Sequence, residues 1–158
     1  MAKRPGGEIR RCVVADDDAG SEPGWSYADA FELWLTGQDE RTAEQWARDA
    51  LEQSPRLIRS IILFAQRQLL RLDLGPRGST PDHVLGWRIV ESDQDTIRLS
   101  ADGPLLRGVI LGRRLASEGC EIRTYLYFHR RRAGVLWRLV GPIHRRVAPY
   151  LLRREAAS

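Results

Sequence analysis

The carboxyl-terminal stretch from Phe128 to Arg154 most constrains how this chain can fold. Apolar residues recur there at helical spacing, eight arginines lie among them, and no acidic residue occurs from position 122 to position 154. Pro142 and Pro149 interrupt the pattern, and proline bends a helix because it removes a backbone hydrogen bond. We therefore predict a long, kinked, basic amphipathic helix, suited to covering a sheet, a membrane surface or nucleic acid. Its apolar positions are Val135, Leu136, Leu139, Val140, Ile143, Val147, Tyr150 and Leu151.

The length of the chain and its cysteines limit the classes of protein to which it can belong. A chain of 158 residues has the usual size of one domain and can bury about two-thirds of its surface. The polar amino terminus is unlike a secretory leader, and no apolar run reaches the roughly 18 residues that cross a bilayer. Cys12 and Cys120 lack the short spacing of metal or redox pairs. We expect a cytoplasmic monomer or homodimer with free thiols, no transmembrane segment, no metal and no cofactor.

The first 24 residues differ from the rest of the chain. They are rich in Gly, Pro, Asp and Arg and show no hydrophobic period, which predicts a flexible tail over residues 1–24. Ile9, Cys12, Val13 and Val14 leave open a short edge strand instead. Acidic residues gather early and arginines late, so the net charge is only +4. A nucleic-acid reader of this size should carry a larger positive excess, and we expect no nucleic-acid partner.

Periodicity divides the remaining chain into a strand, two helices and a meander. Alternation over residues 26–35 predicts the first strand. Thr42 and Gln45 match a capping box for one helix, and a second helix runs from Ser54-Pro55 to Gly75-Pro76. From residue 83 to residue 128 the period shortens to two, with short turns that predict four antiparallel strands.

This order of elements predicts an α+β fold. A sheet with one apolar face must bury that face, and the carboxyl-terminal helix carries a matching apolar stripe. We expect a curved antiparallel sheet of about five strands wrapped on the long kinked carboxyl-terminal helix, with two helices inserted after the first strand. The arginines of that helix then form its solvated side, and contact with a membrane surface remains an alternative.

Four segments resemble a known family: SYADAFEL at 26–33, EQWARDAL at 44–51, LGWRIVESD at 85–93 and GPIHRRVAPYLLRR at 141–154. They are similar to a small, mostly actinobacterial family of unknown function in the START-like (SRPBCC) superfamily. The resemblance spans about residues 26–154. It implies a START-like helix-grip domain over residues 25–158, with a cavity between sheet and helix for a small hydrophobic or aromatic molecule. The metal and cluster motifs of the ring-hydroxylase members, CxH and HxxxH, are absent from the sequence.

Strand parity and helical spacing select the residues expected to line this cavity. On the last strand, the residues that alternate with Tyr125 and Tyr127 should face inward. The candidate ligand-pocket residues are Trp87, Ile89, Ile97, Leu99, Val109, Leu111, Arg113, Ile122, Thr124, Leu126, Phe128, Leu136, Leu139, Val140 and Ile143.

Polar groups suited to catalysis are sparse. The three histidines, at positions 83, 129 and 144, are far apart and have no carboxylate at metal-ligand spacing. His144 lies beside two arginines, so we expect it on the wet side of its helix. If Arg113 shares a face with Val109 and Leu111, an arginine enters the cavity and favours a carboxylate or enolate ligand.

Three kinds of function remain open from the sequence. The first is a carrier or sensor that binds a small hydrophobic or aromatic molecule. The second is a metal-free pocket enzyme, similar to polyketide cyclases and dehydratases. The third is a peripheral membrane or protein-interaction module that uses the basic carboxyl-terminal helix. An unfilled apolar cavity favours the first two, and polar groups that converge inside it separate the enzyme from the carrier.

Overall fold

Seven strands form one antiparallel sheet in the order β1-β2-β7-β6-β5-β4-β3. The computed structural model describes residues 8–14, 22–35, 39–116 and 118–156. Within these residues the sheet is open, with β1 and β3 at its edges. The strands are β1 (Ile9–Cys12), β2 (Tyr27–Trp34), β3 (His83–Val84), β4 (Trp87–Ser92), β5 (Thr96–Ala101), β6 (Leu106–Arg114) and β7 (Gly119–Phe128).

Three helices lie against the sheet. They are α1 (Ala43–Glu52), α2 (Arg56–Phe64) and α3 (Arg131–Ala156), and a π-helical turn over Ala65–Leu69 extends α2. The predicted capping box at the start of α1 is confirmed, because Gln45 N donates to Thr42 Oγ1 at 3.2 Å and Thr42 N donates to Gln45 Oε1 at 2.8 Å. The α+β class, the antiparallel sheet and the carboxyl-terminal helix all agree with the sequence prediction.

The strand count differs from the prediction of about five. Residues 9–12, inside the predicted tail, pair with β2 as an edge strand, while residues 1–7 and 15–21 of that tail lie outside the described residues. The single strand expected after residue 83 is instead a hairpin of β3 and β4. Leu85 and Gly86 join these strands with φ values of +48° and +85°, the left-handed conformation that a two-residue hairpin turn requires.

Helix α3 continues for 26 residues through both Pro142 and Pro149. Its predicted apolar stripe is wider than the face it buries. Val140 and Leu151 are buried against the sheet side, whereas Val135 and Leu139 are 60% and 70% exposed. The expected match between the whole stripe and the sheet was therefore wrong for the outward-facing half of these residues.

The sheet has two covered faces. Its inner face packs against the three helices and carries the main core. On its outer face Tyr125 is fully buried, in a cluster with Val14, Val109 and Leu111. Trp25 packs against the same cluster, so chain segments from the amino-terminal part cover this face. Apolar residues on both faces of β6 follow from this two-sided burial.

Candidate functional site

A cavity of about 150 Å³ lies between the inner face of the sheet and the three helices. Its walls are almost entirely apolar. The sheet contributes Trp87, Ile97, Leu99, Ile110, Gly112, Cys120, Ile122, Thr124 and Leu126. Helix α1 contributes Trp46, Ala47, Ala50 and Leu51, and α2 with its π-helical turn contributes Ile61, Ile62, Ala65 and Gln66. Helix α3 contributes Trp137, Val140, Ile143, His144, Val147, Ala148, Leu151 and Leu152.

The structure brings nine of the fifteen candidate pocket residues to this cavity. They come from four strands and from the middle of α3, as the alternation of the strands and the helical spacing had indicated. The nine are Trp87, Ile97, Leu99, Arg113, Ile122, Thr124, Leu126, Val140 and Ile143.

The other six candidates lie elsewhere. Ile89, Phe128 and Leu136 pack against the main core without lining the cavity, and Leu139 points to solvent. Val109 and Leu111 belong to the outer cluster. Strand β6 alternates, and its residues at positions 106, 108, 110 and 112 take the inner face, so Val109 and Leu111 must take the other.

Two glycines of β6 make room on the inner face. A Cβ atom at Gly108 would lie 2.7 Å from Cη2 of Trp87, so the indole ring packs directly over the backbone there. At Gly112 a Cβ atom would meet only Ile97 Cγ2, at 3.0 Å, and otherwise open space. The Trp87 indole nitrogen donates to Gln66 Oε1 at 3.2 Å, which ties the sheet to the π-helical turn. A larger residue at either glycine would fill or disturb this space.

A polar group of three side chains forms one part of the site. Asp29 on β2 has a fully buried carboxylate side chain. Its Oδ2 atom accepts a hydrogen bond from the Tyr27 hydroxyl at 2.7 Å and lies 2.9 Å from Nε2 of His144 on α3. The imidazole of His144 lines the cavity. A histidine held by a buried carboxylate can accept or donate a proton at its other ring nitrogen.

Further polar atoms surround this group. The Trp137 ring makes tilted contacts with the ring of Tyr27, at 4.9 Å, and with the ring of His144, at 5.3 Å. The buried atoms Asp29 Oδ1 and Trp137 Nε1 have no hydrogen-bond partner in the described part of the chain. Burial raises the pKa of the Tyr27 hydroxyl; the nearby Arg145 guanidinium lowers it and Asp29 raises it. Tyr27 is thus a neutral donor to Asp29 over the ordinary pH range.

The expectation that His144 lies on the wet side of α3 was wrong. Its side chain is only 22% exposed and faces the sheet. Trp137, Val140, His144 and Leu151 are three, four and seven residues apart, so all four share one helical face. Asp29 was missed because alternation on β2 was followed through its large apolar residues, although Asp29 has the same parity as Phe31 and Leu33.

Arg113 does not provide the anchor that the sequence suggested. It borders the cavity, but it has the outward parity of Val109 and Leu111 on β6. Its Nε atom lies 3.1 Å from Oε1 of Glu121, which also pairs with Arg123 at 2.7 Å. Glu121 and Arg123 are both buried. In this three-residue ion cluster Glu121 pairs with the Arg113 guanidinium, so Arg113 does not require a carboxylate or enolate ligand as a counter-ion.

The buried thiol of Cys120, in the cavity wall, makes the stability of the protein depend on pH. Burial raises the pKa of the Cys120 thiol to about 12, from a usual value of 9.0. Because the unfolded chain loses this proton first, the contribution to stability is complete below about pH 9 and is lost as the pH rises toward 12.

We expect the free energy of unfolding to fall by about 1 kcal/mol more in the natural chain than in Cys120→Ala between about pH 8 and about pH 10. Urea unfolding at both pH values measures this difference. Tyrosine titrations are common to both chains and cancel. An equal fall in the two chains would show that the thiol is not buried.

Among the described residues no group of three or more His, Cys, Asp or Glu side chains is placed to hold a metal ion. Cys12 and Cys120 are both free thiols. None of the helices in the described ranges is long and apolar enough to cross a membrane.

Comparison with known proteins adds no relative. No protein-family model, no curated protein sequence and no solved structure matches the chain.

Proposed function

We propose that this chain binds a small hydrophobic or aromatic molecule in the cavity between the sheet and α3, as a START-like domain over residues 25–158 with a helix-grip fold. The observation that carries the proposal is the unfilled apolar space itself. Protein interiors are close-packed, and about 150 Å³ of unfilled space lined by Leu, Ile and Val side chains lowers the stability of the fold. A ligand that fills this space would offset that cost.

The size of the cavity limits its ligand. A cavity of this volume holds one molecule about as large as benzene, whereas most pockets for larger organic ligands measure about 300–1,000 Å³. Ile110 and Ile122 face inward yet remain partly exposed, which supports access from solvent. We therefore propose a single-ring aromatic or a compact aliphatic molecule as the ligand.

Toluene tests this proposal by isothermal titration calorimetry. Burial of one such ring predicts one site with a dissociation constant on the order of 0.1–1 mM. A negative heat-capacity change should accompany binding, because apolar surface leaves water. Absence of binding at the solubility limit of toluene would contradict the proposed function.

Contact with an anionic membrane surface is a second candidate, favoured by exposed apolar residues around the cavity. Ile61 of α2 and Ile143 of α3 line the cavity and are themselves 37% and 42% exposed. Leu57, Phe64 and Leu139 are exposed within one turn of them, and exposed Arg138 and Arg146 accompany α3. Apolar residues flanked by arginines suit the boundary between headgroups and acyl chains.

We expect the protein to co-sediment with phosphatidylserine-containing vesicles and less with pure phosphatidylcholine vesicles. The double change Phe64→Gln and Leu139→Gln should reduce the bound fraction severalfold because it removes apolar area at the mouth. Val90→Gln, an exposed apolar position on β4, is the matched control. Equal binding by all three chains, or none to either vesicle, would exclude this candidate.

A further inference from the structure

The polar group at Asp29 leaves hydrogen-bonding capacity unused beside the cavity. Asp29 Oδ2 is shared by two donors, the Tyr27 hydroxyl and the His144 ring. Its second oxygen is buried and has no partner among the described residues. Buried polar atoms are nearly always paired, so an exception next to a cavity points to a missing ligand group or water. Asp29 itself does not line the cavity, but His144, which it holds, does.

The pairing with Asp29 fixes the role of each nitrogen of His144. Since a carboxylate only accepts hydrogen bonds, Nε2 carries its hydrogen in both charge states of the imidazole. In the neutral imidazole Nδ1 is then the nitrogen with a free lone pair. No hydrogen bond joins Nδ1 to the described residues, and the ring lines the cavity. A neutral His144 thus offers one acceptor to a bound molecule.

Trp137 offers the complementary donor. Its buried Nε1 atom has no partner among the described residues, and its ring lies 5.3 Å from that of His144. Gly141 lets this indole pack close to the backbone of α3: a Cβ atom there would lie 3.3 Å from Trp137 Nε1 and 2.8 Å from Arg145 Nη1. A hydroxyl group both donates and accepts, so it satisfies both open positions.

The charge of this region selects among polar groups. A ligand carboxylate at Nδ1 of His144 would lie near the buried Asp29 carboxylate, and like charges repel. The Arg145 guanidinium beside Tyr27 and Trp137 offsets part of this repulsion. An alkyl or aryl hydroxyl adds no charge. Most of the remaining wall is apolar. Its uncharged polar side chains are Thr124 and Gln66, and Gln66 Oε1 already accepts from Trp87.

We infer that the molecule bound in this cavity is a small apolar ring or chain with a single hydroxyl group, and that this hydroxyl donates to Nδ1 of His144, with Asp29 and Tyr27 as positioning residues. The inference rests on the proposed function, because it assumes that the cavity binds a ligand. A hydroxyl at Nδ1 also stands where proton transfer would begin, the chemistry that a metal-free pocket enzyme requires.

Phenol and toluene form a matched pair of probes, because they differ by a hydroxyl in place of a methyl group. In a purely apolar cavity phenol binds more weakly, since its hydroxyl loses hydrogen bonds to water. We expect the natural chain to bind phenol at least as tightly as toluene. In His144→Leu, phenol binding should weaken about 5- to 100-fold while toluene binding changes by about twofold or less. His129→Leu, at an exposed histidine paired with Asp102, is the control.

A measurement on the unmodified protein guards against a variant that fails to fold. Nitrogen-15 NMR of the ring should show neutral His144 with its hydrogen on Nε2, and phenol should shift the Nδ1 signal whereas toluene should not. Hydrogen on Nδ1, weaker binding of phenol than toluene in the natural chain, or parallel losses of both in His144→Leu would overturn the inference. Failure of toluene to bind the natural chain would instead overturn the proposed function, and the inference with it.

Discussion

Replacing Gly112 with phenylalanine is expected to abolish toluene binding while raising the free energy of unfolding by about 1–3 kcal/mol. A Cβ atom at Gly112 meets Ile97 Cγ2 at 3.0 Å and otherwise points into open space. The added ring has the size of benzene, which a cavity of about 150 Å³ accommodates. Each cubic ångström of unfilled space costs about 24 cal/mol, and phenylalanine also suits a strand better than glycine. The Ile97 methyl group needs to move by only a few tenths of an ångström.

Calorimetry with toluene and urea unfolding together measure this effect. Ser100→Phe is the matched control, because Ser100 on β5 pairs with Val109 and so faces the opposite side of the sheet. It should leave toluene binding unchanged. Gly112→Leu, with a smaller side chain, provides a second variant that should also block binding. Undiminished toluene binding in a folded Gly112→Phe protein would show that toluene binds elsewhere.

Trp87→Ala is expected to lower the free energy of unfolding by about 3–5 kcal/mol, a large fraction of the stability of a domain of this size. Trp87 is only 3% exposed. Its ring covers Gly108 and its indole nitrogen binds Gln66. Truncation removes the packing of this ring, leaves the Gln66 oxygen without its donor and extends the cavity.

Urea unfolding measures the loss of stability in Trp87→Ala. The dependence of the free energy of unfolding on urea concentration should remain as in the natural chain. Trp87→Phe retains an aromatic ring but loses the hydrogen bond to Gln66 and the outer indole atoms over Gly108, so its cost should be about 1–2 kcal/mol. If Trp87→Ala stays within about 1 kcal/mol of the natural chain, the ring does not support the cavity wall as described.

The strands on the inner face were predictable where only one of their faces is apolar. Ile97 and Leu99 alternate with polar residues on β5, so their inward orientation follows from the period alone. Strand β6 is apolar at Val109 and Leu111 as well as at Leu106 and Ile110. Alternation alone does not show which residues of such a strand face inward, because both faces are apolar. Their orientation depends on which chain segment covers the outer face. Here that cover includes Val14, from the region predicted as a tail.

Helix α3 was predictable in length and in position but not in rotation. Its apolar residues extend around more than one face, and Pro142 and Pro149 did not end it. Packing against the sheet selected the face of Trp137, Val140 and Leu151, and left Leu139 outside. Spacing alone does not decide this, since an exposed leucine and a buried one follow the same period.

The polar group of the site required tertiary structure. Asp29 and His144 are 115 positions apart, so no local motif contains both. Each carried a partial signal: Asp29 has inward parity on β2, and His144 lies on the Trp137 face of α3. Two inward polar residues on elements that pack together favour a mutual hydrogen bond, because most buried polar groups have a partner.

Nuclear Overhauser effects between bound toluene and the protein test the central claim most directly. We predict contacts from toluene protons to the methyl groups of Ile97, Leu99 and Val140, which line the cavity. These contacts should disappear in Gly112→Phe and persist in Ser100→Phe. Contacts confined to the exposed side chains Leu57, Phe64 and Leu139 would show that apolar molecules bind only the outer surface, and would contradict a ligand-binding cavity between the sheet and α3.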